Sequence, residues 1–298
     1  MGSNTLWRAH SCEPRSHSCE RSSVAGATIF LASAAIYMAL LGTCLVPVFG
    51  QSPSSPSAKA APFTPARTPD GQPDIEGIWQ PRAGGSAFSV LPHPGGFFLG
   101  AESKTGIVEG GELPYQPWAA QEVQRLTEHL ELDPTGHCHY EGVPHAMYFG
   151  FQIVQTPQFI AFLHENMHAR RLIYLDGKPH PQGYSAWMGD SRGHWEGNTL
   201  VVDVADNNDK SVFDMAGHFH SDALHVVERF TLVDKDTIDW EGTFDDPKVF
   251  THPFKMKFQI KRNAKPEEFL ESDCFGGERD QEHLVNGLAN LKEHYYSK

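Results

Sequence analysis

The chain has 298 residues, 40% hydrophobic, 11% aromatic and 20% charged, a balance that excludes a wholly disordered, collagen-like or coiled-coil protein. Its formal net charge is −13, and an acidic chain without a basic stripe argues against nucleic acid as the main partner.

Residues 25–50 read AGATIFLASAAIYMALLGTCLVPVFG and carry no charge. Arg8, Arg15 and Arg21 precede them, against Glu13 and Glu20. A weakly basic leader, an apolar run and a small residue describe a secretory signal peptide, with the cut expected before Gln51. The run is also long enough for an uncleaved membrane anchor, which is the only membrane contact the sequence suggests. Residues 51–70 are rich in Pro, Ser and Ala and read as a flexible tether. Residues 71–298 then form one domain.

Trp118 to Leu132 (WAAQEVQRLTEHLEL) carries apolar residues at helical spacing and predicts a helix. The stretch from there to Gly150 is irregular and holds His137, His139 and His145. From Phe151 the period changes to two. QIVQTPQFIAFLHE, RRLIYLDG, HWEGNTLVVDV, ALHVVERFTLVDKDTIDWEGTF and FKMKFQIKR all read as strands. Gly197-Asn198 is a two-residue hairpin signal that sets Trp195 opposite Leu200 and Arg192 opposite Asp203. Asp176-Gly177 and Asp234-Lys235-Asp236 are further turns. A short helix is expected over Asp280 to Tyr296. The fold class that follows is all-β: an antiparallel meander of about eight strands, closed as a lipocalin-like barrel or folded as a sandwich, with one helix before it and one short helix after it.

Two cysteines follow the leader, Cys138 and Cys274. In an exported chain they are expected to form one disulfide. The rival reading, a metal-binding tract at His137-Cys138-His139, suffers because adjacent residues rarely face one ion.

Several blocks of the chain resemble one another's counterparts in a known group. IVQTP (153–157), DGKPHP (176–181), WMGDSRGHWEGNTLVVDV (187–204), HSDALHVVERF (220–230), DDPK (245–248) and the opening TPDGQPDIEGIWQ (68–80) are similar to those of a large group of secreted bacterial proteins with no established activity. The resemblance implies export and a single domain, and brings no reaction with it. The chain departs from the group at Pro144-His145, where Pro-Arg is usual. It departs again at His252-Pro253-Phe254, where Arg or Lys, Pro and Trp are usual.

Two constellations stand out as chemistry. His164-Glu165-Asn166-Met167-His168 matches the H-E-x-x-H of zinc peptidases, where a helix brings both histidines onto one face. The flanking FIAFL and RLIYL runs are β-prone, and a straight strand would hold the histidines about 13 Å apart. The segment is therefore expected as a hairpin tip, with His164 and His168 only a minor metal alternative. The second constellation lies on 220–232, read as one extended strand. Its even positions, His220, Asp222, Leu224, Val226, Glu228, Phe230 and Leu232, share one mainly apolar face and are expected to point inward. A buried carboxylate needs a partner or a proton, which makes such groups acid–base candidates. His220, Asp222 and Glu228, with His225 beside them, are thus the catalytic candidates. Pairing of the acids with Arg170, Arg171 or Arg192 is the structural alternative. Tyr174, Trp187, Trp195, Arg171 and His145 are the expected ligand contacts. No cofactor is indicated, although a divalent metal is compatible with the histidine content. The sequence thus supports a secreted barrel that binds a small molecule. The first expectation is an enzyme using His and carboxylate acid–base chemistry on a small organic or sugar-derived substrate. A non-catalytic periplasmic ligand-binding protein and a zinc peptidase are the alternatives.

Overall fold

A computed structural model describes residues 63–83, 85–95, 102–265, 269, 270, 272 and 274. The leader, most of the tether and the expected C-terminal helix at 280–296 lie outside the described residues. Nine strands run in chain order: β1 Gly77–Pro81, β2 Phe151–Gln155, β3 Phe159–His164, β4 Arg170–Tyr174, β5 Asp190–Glu196, β6 Thr199–Ala205, β7 His225–Asp234, β8 Thr237–Asp245 and β9 Phe254–Arg262. Each pairs with its neighbour in sequence, and β9 returns to β1 to close a barrel. The all-β barrel is thereby established, and the sandwich is set aside.

An odd strand number has a geometric consequence. Strands that alternate up and down around a closed ring must include one parallel pair when their number is odd. Here that pair is β4 and β5. Its ladder is short, matching only Ile173 with Ser191 and Tyr174 with Arg192. A parallel pair also needs a connection that travels back along the barrel. Residues 175–189 make this crossover, hereafter the strap, between the end of β4 and the start of β5.

The remaining pairs are antiparallel. The Gly197-Asn198 turn, with Gly197 at φ +64°, places Trp195 opposite Leu200 and Arg192 opposite Asp203 as its turn chemistry predicts. Inward positions carry the large apolar residues. Phe151 stacks on Phe162 at 5.1 Å, Phe162 meets Phe230 edge-on at 5.4 Å, and Trp240 leans on Phe258 at 4.5 Å. Aromatic pairs in these geometries add about 0.5–1.5 kcal/mol each beyond their buried area.

The expected helix forms as α1 (Pro117–Glu128) and gives way to a 3₁₀ turn at Leu130–Leu132. It begins on a proline, whose missing N–H costs nothing in the first turn. The H-E-x-x-H segment is a hairpin tip and not a helix. β3 ends at His164, and Met167 and His168 both take positive φ, +59° and +48°. A tail segment lies along this tip: Leu270 N–H donates to Glu165 Oε1 at 2.9 Å, and Met167 N–H donates to the Ser272 carbonyl at 2.8 Å. The Cys138–Cys274 disulfide ties that segment to the loop after α1.

Candidate functional site

β7 begins only at His225, five residues later than the extended reading placed it. The chain before it turns. Ser221 donates its N–H and its hydroxyl to Asp246, at 2.6 and 2.9 Å, and Ala223 N–H donates back to Ser221 Oγ. The alternation therefore holds from Val226 to Leu232 and fails before it.

The catalytic candidates separate accordingly. Asp222 is exposed and bridges to Lys248 at 2.6 Å, and hydrogen bonding by that ammonium lowers its carboxyl below the usual range. It does not face the interior, because it rides on the turn and not on the strand. His225 is also exposed, on the outer wall, 2.7 Å from Asp203. His220 is buried, but through the turn. Its Nδ1 lies 2.9 Å from the Ser221 carbonyl and its Nε2 2.9 Å from Ser211 Oγ. Nδ1 must donate to the carbonyl, and in the neutral ring Nε2 accepts the Ser211 hydroxyl. Burial lowers its pKa in the same sense. Glu228 sits as expected, fully buried on the inward face of β7. Both terminal nitrogens of Arg171 grip its carboxylate, Arg171 Nε donates to Ser191 Oγ at 2.9 Å, and Trp240 Nε1 donates to Glu228 Oε1 at 3.1 Å. This is a closed structural ion pair. The four groups do not converge on one point.

Three other buried polar groups, His164, His145 and Glu141, make no part of that pair, and His145 opens the 3₁₀ turn His145–Tyr148. His164 is buried, and neither ring nitrogen has a hydrogen-bond partner. Burial, helped by the Arg171 charge, pushes it down to about 3. His145 is likewise held neutral by burial, at about 4, with its ring against Tyr148. It is core, and so not a ligand contact. Near it Glu141 accepts from Asn166 Nδ2 at 2.7 Å, and burial pushes its carboxyl up to about 8. Among the described residues no group of three His, Cys, Asp or Glu side chains is placed to hold a metal. His164 points into the barrel and His168 is exposed, so the zinc-peptidase alternative has no centre here.

A concavity with a different lining lies on the outer wall along the β4–β5 seam, where the strap leaves a groove of about 580 Å³. On β4 the side chains alternate. Arg171 and Ile173 go inward, and Arg170, Leu172 and Tyr174 go outward into the groove. β5 adds Asp190 and Arg192, and the strap adds Tyr184 and Trp187. Tyr140 closes one side. Nine large apolar side chains are exposed among the described residues, and four of them, Tyr140, Leu172, Tyr174 and Tyr184, line this groove. Such clustering marks binding surfaces. Arg192 is committed: it grips Asp190 at 2.6 and 3.1 Å, reaches Asp176 at 3.2 Å, and lies 4.8 Å over the Tyr174 ring. Arg170 is exposed in the same groove and makes no hydrogen bond or ion pair among the described residues.

No protein-family model, no curated protein and no solved structure matches the chain. The site is therefore judged on its geometry.

Of the expected ligand contacts, Tyr174 and Trp187 line the groove. The lining also includes Arg171, whose guanidinium is spent on Glu228. Trp195 packs against the core beside Leu200 and does not reach the groove. Tyr140 and Tyr184 were not singled out by the sequence, and Arg170 was named only as a possible partner for a buried acid. The RRLIY alternation alone assigns Arg170 and Tyr174 to one face, so that part of the signal was present.

Proposed function

We propose that the protein is an exported binding protein for a small organic anion carrying a ring, held in the groove beneath the strap. The observation that carries this reading is an arginine, Arg170, whose side chain has no carboxylate partner among the described residues and which is set among four exposed apolar side chains. A guanidinium recognises carboxylate, sulfonate or phosphate through paired N–H donors, and aromatic faces accept a flat ring. A site of apolar walls with few orienting polar groups is what a carrier needs. The binding-protein reading is preferred to the acid–base enzyme because His220, Asp222, Glu228 and His225 lie apart. The apolar leader and the Cys138–Cys274 disulfide support export.

The test is calorimetric titration with 2-naphthoate and with the neutral 2-naphthylmethanol, on the natural chain and on Arg170→Gln. The acid should bind and the alcohol should bind at least about tenfold more weakly. Arg170→Gln should erase that difference, as expected for loss of a charged hydrogen bond. Absence of naphthoate binding, or equal binding of acid and alcohol, refutes the proposal.

A further inference from the structure

The strap is held to the barrel in an unusual way. Of residues 176–185, every one is exposed except His180. Beyond that stretch the strap is fixed by backbone pairing of Ala186 with Asp206 and Asn208. His180 inserts between two carboxylates on the outer wall. Its Nδ1 lies 2.8 Å from Asp190 Oδ2 on β5, and its Nε2 lies 3.2 Å from Asp203 Oδ1 on β6.

A carboxylate only accepts hydrogen bonds. A neutral imidazole has one N–H, so it can satisfy one of these contacts and must turn a lone pair toward the other. Only the imidazolium serves both. We infer that His180 is a proton-dependent pin: protonated, it fastens the strap over the groove, and deprotonated, it releases the stretch that carries Pro181 and Tyr184 into the groove lining.

The charges around the pin are consistent with this role. Asp190 and Arg192 face it from β5, Asp203 from β6 and His225 from β7, and Asp176 and Lys178 belong to the strap itself. Arg192 already occupies Asp190 and Asp176, and His225 already donates to Asp203 at 2.7 Å. Both carboxylates therefore keep another donor whichever state His180 takes. Loss of the proton removes a donor without removing either acceptor. Both contacts can be made only while the ring carries both protons.

The regulatory role rests on the groove being the ligand site, but the pin itself is measured without any ligand. The experiment follows amide hydrogen exchange of Lys178, the strap N–H that donates to Asp176 Oδ1, corrected for intrinsic rates, between about pH 5 and about pH 9. Protection in the natural chain should fall by about tenfold or more across that range. His180→Gln should be unprotected throughout, and His225→Gln should keep the step. A flat profile in the natural chain, or a step that survives in His180→Gln, overturns the pin. Naphthoate titrations at the two ends of the range separate the two proposals. A protection step without naphthoate binding refutes the groove and leaves the pin standing. Naphthoate binding with flat protection does the reverse.

Discussion

Replacing Glu228 by glutamine strands a buried guanidinium. Arg171 and Glu228 are both essentially inaccessible to water, and Arg171 spends Nε on Ser191 and its two terminal nitrogens on Glu228. Glutamine keeps the oxygen that accepts from Trp240 Nε1 but loses the charge. Breaking such a pair by removing one partner costs about 3–5 kcal/mol, mostly for the uncompensated charge left behind. For a domain of this size that lowers Tm by about 6–20 °C. Arg171→Met should cost a similar amount from the other side. The double variant Arg171→Met/Glu228→Gln holds no buried charge, so it should be more stable than either single variant. Urea unfolding of all four proteins gives the coupling directly. If the single variants each lose less than about 1 kcal/mol, or if their losses add in the double variant, the pair is not the interior tie described above.

Three further outcomes follow from the same interior. The Glu141 carboxyl holds its proton to about pH 8 in the folded state, well above the ordinary 4.5, so the folded state loses stability as pH rises between those values. Glu141→Gln should therefore gain about 3–5 kcal/mol at pH 8 and almost nothing near pH 4, read from urea melts at each pH. His164 has its pKa depressed to about 3, so folding keeps it neutral and stability drains as pH falls below its ordinary 6.5. His164→Leu should flatten the acid limb, sparing about 2 kcal/mol at pH 5, and a limb of unchanged slope would contradict the assignment. Cys138 and Cys274 stand 136 residues apart, so reduction should cost up to about 5 kcal/mol by chain entropy. Denaturant melts with and without reductant check this.

The ladder was legible wherever period and turn chemistry agreed. The hairpin at Gly197-Asn198 gave both cross-strand pairs, and α1 was found to within one turn. What failed was extrapolation. Alternation on 226–232 was carried back to position 220, through Ser221 and Asp222, residues that compete for backbone hydrogen bonds and favour turns. His220 did end up buried, for a reason the period did not contain. The parallel seam was also invisible, since RRLIY and DSRGHWE look the same whichever way their neighbour runs. Strand number decided it, and nine differs from eight by the short GIWQP segment. The groove followed from the seam, so its arginine and tyrosines were scattered across three segments with no common spacing. The glutamate–arginine tie was foreseeable in kind, because a buried acid needs a partner, and Arg171 was among the three named.

Two lines of weakness divide the cylinder. One is the two-rung parallel junction, and the other is the first strand, which meets the last strand and the second through three rungs each. Either side of them the wall forms two curled leaves, one of β2–β4 and one of β5–β9. Arg171 stands on the smaller leaf and Glu228 on the larger. Their union is thus a crossbeam thrown over the hollow, joining halves whose rims barely touch. The ion pair thus fastens, from inside, a wall that the parallel junction holds by two rungs alone.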